Sequence, residues 1–361
     1  MKSFEQNLAR LRELCNVFGP TGCEDGVAAW IMDQLPAVCD RFCHDRMGNV
    51  IALLRMGDPN AANRRRVMIS AHMDEVGVMI TDVCEDGLLR FETVGGIHVS
   101  VLEGRRVTVG DEKNRVNGVI LSKAIHHKKR DERNKPTPLS KLYIDIGARD
   151  REEAEQYAKV GSFGTFDSEF YRFGKDGAFL KAKALDDRLG CAVMLEVMES
   201  LVEERLTENL DLYFCFTVRE EIGLSGARTA AAKIAPDLAI VLESTAVGDL
   251  PDTEYNRRVA ELGAGGVLSI MDRSTIYDRP LLDFALQTAK DGEIPVQVKR
   301  YVSGGNDAGS IHKTGEGVRA LALSVPTRYL HSPSCVVAVE DYRSTRRLTE
   351  AMLRALRVDC P

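Results

Sequence analysis

Only twelve of the 361 residues are proline, and neither an internal repeat nor a low-complexity tract interrupts the chain, so little of it reads as disordered. Excess basic charge is missing as well. The 54 acids against 48 bases leave a net charge of -6, which removes any reason to expect nucleic acid or an anionic membrane as a partner. No window reaches eighteen uncharged apolar residues, and the first stretch, MKSFEQNLARLRELCNVFG, carries charges every few residues without an apolar signal core. Neither secretion nor membrane spanning is therefore expected, and the expected location is cytoplasmic. The nine cysteines are odd in number, scattered, and free of the paired CxxC spacing of a structural zinc site. Cys191 and Cys215 sit inside apolar runs, where a thiol acts as a small core hydrophobe, so disulfides are not expected. Several catalytic signatures fail too: SGGNDAG lacks the strand-helix context of GxGxxG, GAGG lacks the P-loop lysine, and no GxSxG elbow occurs.

What is present is enough apolar material, 44% of the residues, to bury a sizeable core. A chain of 361 residues exceeds what one core usually organises, which leaves two domains or one domain with an insertion. Leu8, Leu11 and Leu14 mark a first helix that Gly19 and Pro20 end, and a second helix is expected from Glu24 to Leu35. Strand-like runs follow around Asn49 to Leu54 and Arg66 to Asp74. From about Val76 to about Thr165 short alternating segments (GVMITDV, LLRFETV, RRVTVG, NGVILS, LYIDIGA) succeed one another, with Asp86-Gly87 as a hairpin turn and a helix only at roughly Asp150 to Lys159. The basic stretch HHKKRDERNKPTPLSK between them reads as a solvated loop. After Gly174 helices and buried strands alternate again: a helix from Asp187 to Leu206, the strands DLYFCFTV, DLAIVLE and ALALSVPT, and a closing helix from about Asp341 to Arg357. The expected fold is α/β, with residues 1–75 and 166–361 forming one discontinuous domain and 76–165 a small inserted all-β domain.

Chemistry gathers where these strands end. In SAHMDEVG, His72 and Asp74 are two apart on a strand and face the same side, so the carboxylate can hold the far ring nitrogen of the histidine; a plain hydrogen-bonded pair is the alternative. Asp186 and Asp187 precede a helix, where one acid suffices as a cap and Arg188 can neutralise the pair. Glu220 and Glu221 stand side by side after a buried strand, costly unless cations compensate; one carboxylate can ligate a metal while the other acts as a base, or both lie in a surface turn. Glu243 terminates a further apolar strand and His331 lies just beyond another. In open α/β sheets ligands bind outside the carboxyl ends of the strands, so these positions converge. Two divalent cations balance Asp186, Glu221, Glu243 and one hydroxide, with neutral His72 and His331 completing the shells, and this donor set favours zinc, with cobalt or manganese as alternatives.

Taken in order, HMDEVG, ALDDRLG, REEIGLSGA, VLEST, GGNDAGSIH and YLHSP resemble the M42 family of metalloaminopeptidases, the glutamyl and tetrahedral aminopeptidase group, and GPTGCED, MGNV and LYIDIGA extend the likeness over nearly the whole chain. The resemblance implies a mixed central sheet flanked by helices, as in zinc peptidases, interrupted by a β-barrel or PDZ-like dimerisation domain. It implies two metal ions per subunit, bridged by Asp186, with His72 and Glu243 completing one and Glu221 and His331 the other, Glu220 as general base and Asp74 orienting His72. The implied substrates are short peptides, cleaved at the N-terminal residue, and the implied assembly is a homo-oligomer, from dimer to dodecamer, through the β domain. Glu243 stands where many members carry Asp, and His98 and the Ala264-Gly265-Gly266 run also depart from the common wording. Two other readings remain open: a related metal-dependent amidase or deacylase acting on small N-acyl compounds, and a metal-bound scaffold without useful catalysis. The stretch after Glu243 and the loop around Gly304, Gly305 and Asp307 are expected near the substrate.

Overall fold

The computed structural model describes residues 2–111, 113–130 and 134–358; Cys360 and part of the basic loop, 131–133, lie outside them. Two helices open the chain, α1 (Phe4–Asn16) and α2 (Asp25–Gln34). Ser3 and Gln6 form a reciprocal capping box at the start of α1, and Leu8, Leu11 and Leu14 make its buried face. Strands β1 (Arg41–His44), β2 (Val50–Arg55) and β3 (Arg65–His72) follow.

The chain then leaves for β4 (Gly77–Val83), β5 (Leu89–Val94), β6 (Arg106–Gly110), β7 (Arg115–Leu121), β8 (Tyr143–Asp145) and, after the short helix α3 (Arg151–Glu155), β9 (Phe163–Phe166). These six strands close into a barrel in the order β4-β5-β8-β7-β6-β9, so none of them presents a free edge. Val78, Ile80, Leu89, Phe91, Val109, Ile120 and Ile144 fill it with a core of its own. Gly77 marks the point of entry. A Cβ there would lie 2.5 Å from the carbonyl oxygen of Gly164 and 2.6 Å from Pro20, so only glycine lets the chain cross so close to β9.

Beyond the barrel come β10 (Tyr171–Phe173), β11 (Phe179–Ala182), α4 (Leu185–Glu203), β12 (Leu210–Thr217), α5 (Ser225–Ile234), β13 (Leu238–Ala246), β14 (Gly266–Leu268), α6 (Arg279–Asp291), β15 (Val296–Val298), α7 (Ala308–Ile311), β16 (Arg319–Thr327), β17 (Cys335–Ala338) and α8 (Val339–Ala355). The main sheet has eight strands in the order β1-β2-β12-β3-β13-β16-β14-β15. Its centre, β12, β3, β13 and β16, is parallel, while β2 and β14 join it antiparallel. On one face Phe214, Phe216, Leu242 and Leu323 pack with Leu14 of α1, Leu189 and Met194 of α4 and Leu348 of α8. On the other, Cys215, Val241 and Ala322 pack under Ala227 and Ala230 of α5 and Ile311 of α7. Covered on both sides, β12 and β13 are buried almost end to end, which is why they read as unbroken apolar runs. The fold is thus mixed α/β with a closed β-barrel, the class that the sequence implied. The sequence reading had no place for β14, α6 and β15 at the sheet edge, and it drew the helix before β9 longer than the five residues of α3. No helix among the described residues is long and apolar enough to cross a membrane.

Candidate metal centre

The parallel register brings the acidic and histidine side chains to one end of the sheet. Thr217, the last residue of β12, pairs with His72, the last of β3, so Glu220 and Glu221 turn back beside that histidine. Beyond Val241 strand β13 is no longer paired with β3 but stays with β16, and Glu243 lies there, opposite Ser324. The sequence reading had Glu243 terminating its strand; β13 in fact runs on to Ala246, and Glu243 is fixed by ladder bonds to β16 rather than by a turn. His331 follows β16 in a turn, and Asp186 sits at the irregular start of α4, where the Asp186–Asp187 peptide is cis. Ala184, Arg219, Leu224, Tyr329 and His331 all hold left-handed φ values between 54° and 58° in these loops, conformations that cost energy for residues with a Cβ.

Asp186 joins two groups. His72 Nε2 is 3.2 Å from Asp186 Oδ1 and 3.3 Å from Glu243 Oε1. His331 Nε2 is 3.3 Å from Asp186 Oδ2 and 3.3 Å from Glu221 Oε2. Each triad has one donor atom per residue within 4.8 Å of the others, and Asp186 gives one oxygen to each; His72, Glu220 and Glu221 form a third such group. On the far side of the His72 ring, Nδ1 lies 3.1 Å from the Asp74 carbonyl and 3.5 Å from Asp74 Oδ1. Asp74 is fully buried and accepts hydrogen bonds from the Thr21 hydroxyl at 2.7 Å and from the backbone N–H groups of Glu220 and Glu221 at 3.2 and 3.3 Å. One carboxylate thereby fixes both the ring and the turn that carries the two glutamates.

The charges do not balance among themselves. Glu221 Oε1, Glu243 Oε2 and Asp307 Oδ1 are buried without a hydrogen-bond partner. Burial together with Glu243 pushes the Glu220 carboxyl well above its usual range, and burial together with Asp186 lifts Glu221 to about 8. Burial also lifts Glu243 to about 7 against the pull of His72. For Asp186 the opposing burial is overcome by the hydrogen bonds of His331 and His72, which hold it well below the carboxylate range. Both histidines rise despite burial, His331 to about 9, because the acids around them favour the imidazolium. A pocket that raises Glu220, Glu221 and Glu243 and keeps both histidines charged has a surplus of buried carboxylates, and a cation is a fitting counter-charge for this oxygen and imidazole donor set.

The neighbours agree with the sequence reading at Asp187 and depart from it at Arg188. Asp187 does cap: its Oδ1 accepts from the Gly190 N–H at 3.0 Å. Arg188, however, does not neutralise the Asp186–Asp187 pair. It is completely buried and points away, donating to the carbonyls of Leu14 and Val17 at the end of α1, with Glu75 3.6 Å from its guanidinium. Those carbonyls carry the negative end of the α1 dipole and lack helical partners, which is what draws the guanidinium there. Asp307 lies behind the centre, its Oδ2 accepting from Thr217 at 2.6 Å and its pKa lifted by burial to about 6. Thr21, Thr217 and a buried pair of Glu75 and Lys183 had no place in the sequence reading. Glu75 does stand inside the HMDEVG segment and Lys183 directly before ALDDRLG, but a hydroxyl or a buried pair has no spacing signature that names its partner.

Comparison with known proteins gives a consistent picture. The family model described as M42 glutamyl aminopeptidase matches residues 48–348. A protein of Acetivibrio thermocellus named putative aminopeptidase is 35% identical over 94% of this chain and 96% of its own. Among solved structures, the TET aminopeptidase of the marine sediment archaeon Thaumarchaeota archaeon SCGC AB-539-E09 superposes with a TM-score of 0.93 at 33% identity, covering 99% of this chain and 98% of that one. The TET1 peptidase of Pyrococcus horikoshii, described as able to assemble into a tetrahedron or a large octahedral shell, has a TM-score of 0.84 at 31% identity over 98% of this chain and 100% of its own.

Proposed function

The chain belongs to the family of M42 glutamyl aminopeptidases, and on that premise we propose that it removes the N-terminal residue of short peptides by hydrolysis at a centre of two divalent cations. The observation that carries the reading is the shared Asp186, whose two oxygens face His72 with Glu243 on one side and His331 with Glu221 on the other. His72, Asp186 and Glu243 would hold one cation, and Asp186, Glu221 and His331 the second. Zinc suits the mixture of imidazole and carboxylate best, with cobalt or manganese as substitutes. Such cations, when bound, supply Lewis acidity to a water and to the scissile carbonyl.

The protein groups do the rest. Asp74 holds the Nδ1 proton of His72, which leaves the Nε2 lone pair facing the centre. Glu220, in neither of the two triads that share Asp186, takes the proton of the attacking water on a carboxylate oxygen and passes it to the leaving amine. Burial around these groups strengthens each charge interaction by keeping bulk water out. The barrel, residues 76–165, serves as the assembly module, and residues 1–75 with 166–361 as the catalytic unit. Copies of the chain associate through the barrel, as a dimer or as larger shells up to a dodecamer.

The test is a panel of aminoacyl substrates offered to protein stripped of metal and reloaded separately with zinc, cobalt or manganese. Hydrolysis should return only with a cation and only on substrates with a free α-amine. Cleavage confined to N-acyl compounds would overturn the aminopeptidase assignment, and full activity in the stripped protein would overturn the two-cation centre.

A further inference from the structure

Glu75 directly follows Asp74, and Lys183 stands just before the bend that leads to Asp186. The two residues are 2% and 5% exposed, and Lys183 Nζ lies 2.6 and 2.8 Å from the two carboxylate oxygens of Glu75. A third segment reaches the same carboxylate: the hydroxyl of Thr165, on barrel strand β9, donates to Glu75 Oε2 at 2.7 Å. The main chain of Glu75 is held too, its N–H donating to Gly19 at 3.1 Å and its carbonyl accepting from Thr21 at 3.0 Å. Thr21 is the residue whose hydroxyl holds Asp74. Glu75 and Lys183 also line a small cavity together with Asp186, Glu221 and His331. A buried ion pair is a poor way to hold segments together if stability is all that is needed, because apolar groups of the same volume pack as firmly without the desolvation cost. Directional bonds add a fixed distance between the segments they join.

We propose that Glu75 and Lys183 are a positioning pair, which sets the separation between the Asp74 and Asp186 segments so that Asp186 reaches both histidines, and which makes the seating of the barrel a condition for a complete centre. Neither residue is a metal ligand or touches the substrate; both act through Asp74 and Asp186. The inference rests on the two-cation reading given above.

Single changes strand a buried charge, so the variant of choice is the double Glu75→Gln/Lys183→Met, which keeps the volume, removes the charges of the pair, and leaves Arg188, 3.6 Å from Glu75, on the carbonyls of Leu14, Val17 and Gly19 that already hold it. It should melt within a few degrees of the wild type and keep its KM within about twofold, while kcat and the affinity for the second cation each fall about tenfold, as for other groups that orient metal ligands. Elemental analysis should find one cation where the wild type holds two. Wild-type kcat with two cations in the double variant would overturn the proposal and leave the pair a packing element. Thr165→Val, which keeps the pair and removes only the barrel's hydroxyl, gives an independent reading: kcat and cation affinity should fall in folded protein that melts a few degrees below the wild type, and unchanged kcat and cation affinity would likewise overturn it. A wild-type control that binds cations and cleaves free-amine substrates upholds the functional reading whatever the variants do.

Discussion

The barrel and the α/β body bury their strands in opposite ways, and the contrast decides what a glutamate can be. Along β5 of the barrel Leu89 and Phe91 point inward while Arg90 and Glu92 are exposed, so every charge has water beside it. Along β13 of the body eight of nine residues are buried, so Glu243 has no water to face and must find its partners inside the protein. The two residues are chemically identical. A one-faced strand makes one of them a surface group, and a two-faced strand makes the other part of a charge cluster.

The largest effect expected from testing this contrast lies at Glu220. Glu220→Gln should lower kcat by about 10² to 10⁴ while leaving metal content and melting temperature unchanged, as loss of a general base does. Glu92→Gln in the barrel, run alongside, should leave turnover as it is. Equal turnover in the two variants would erase the distinction. His331→Ala comes next: elemental analysis should show one cation per chain in place of two, since the triad of Asp186, Glu221 and His331 loses its only imidazole. Retention of both cations would remove His331 from the ligand set. A cavity in the barrel should act on stability alone. Ile144, fully buried there, should cost about 2–5 kcal/mol in denaturant unfolding when replaced by alanine, with metal per folded chain unchanged. The smallest effect is expected at the edge of the body, where Ser3→Ala removes the α1 cap and should cost about 1 kcal/mol in the same measurement.

The same contrast explains what could be read from residues alone. Alternating segments between 76 and 165 and unbroken apolar runs after Gly174 are direct consequences of one-sided and two-sided burial, which is why the fold class was legible. His72, Asp186, Glu221, Glu243 and His331 could be singled out because a charge or imidazole next to a buried strand is costly without a purpose, and the fold does gather them around Asp186. Arg188 was misassigned because proximity in sequence suggested Asp186 and Asp187, whereas the bare carbonyls at the end of α1, far away in the chain, offered better acceptors. Thr21 and Thr165 were invisible for the same reason: each matters through one hydroxyl whose partner lies more than fifty residues away.

The interruption of the body by the barrel also sets an order of events during synthesis. The barrel has all of its strands once residue 166 is made, and its pairings are nearly all among themselves. By contrast, β2 and β3 must wait for β12, which begins at Leu210, and β3 gains its other neighbour only with β13, at Leu238. On an emerging chain the module in the middle is therefore the first able to close, while β2 has only β1 beside it and β3 has no neighbour at all. Once enough chain beyond residue 166 has been made for β9 to leave the ribosome, and before β12 emerges, a finished barrel follows an unpaired β3, the state in which the nascent chain most needs a chaperone.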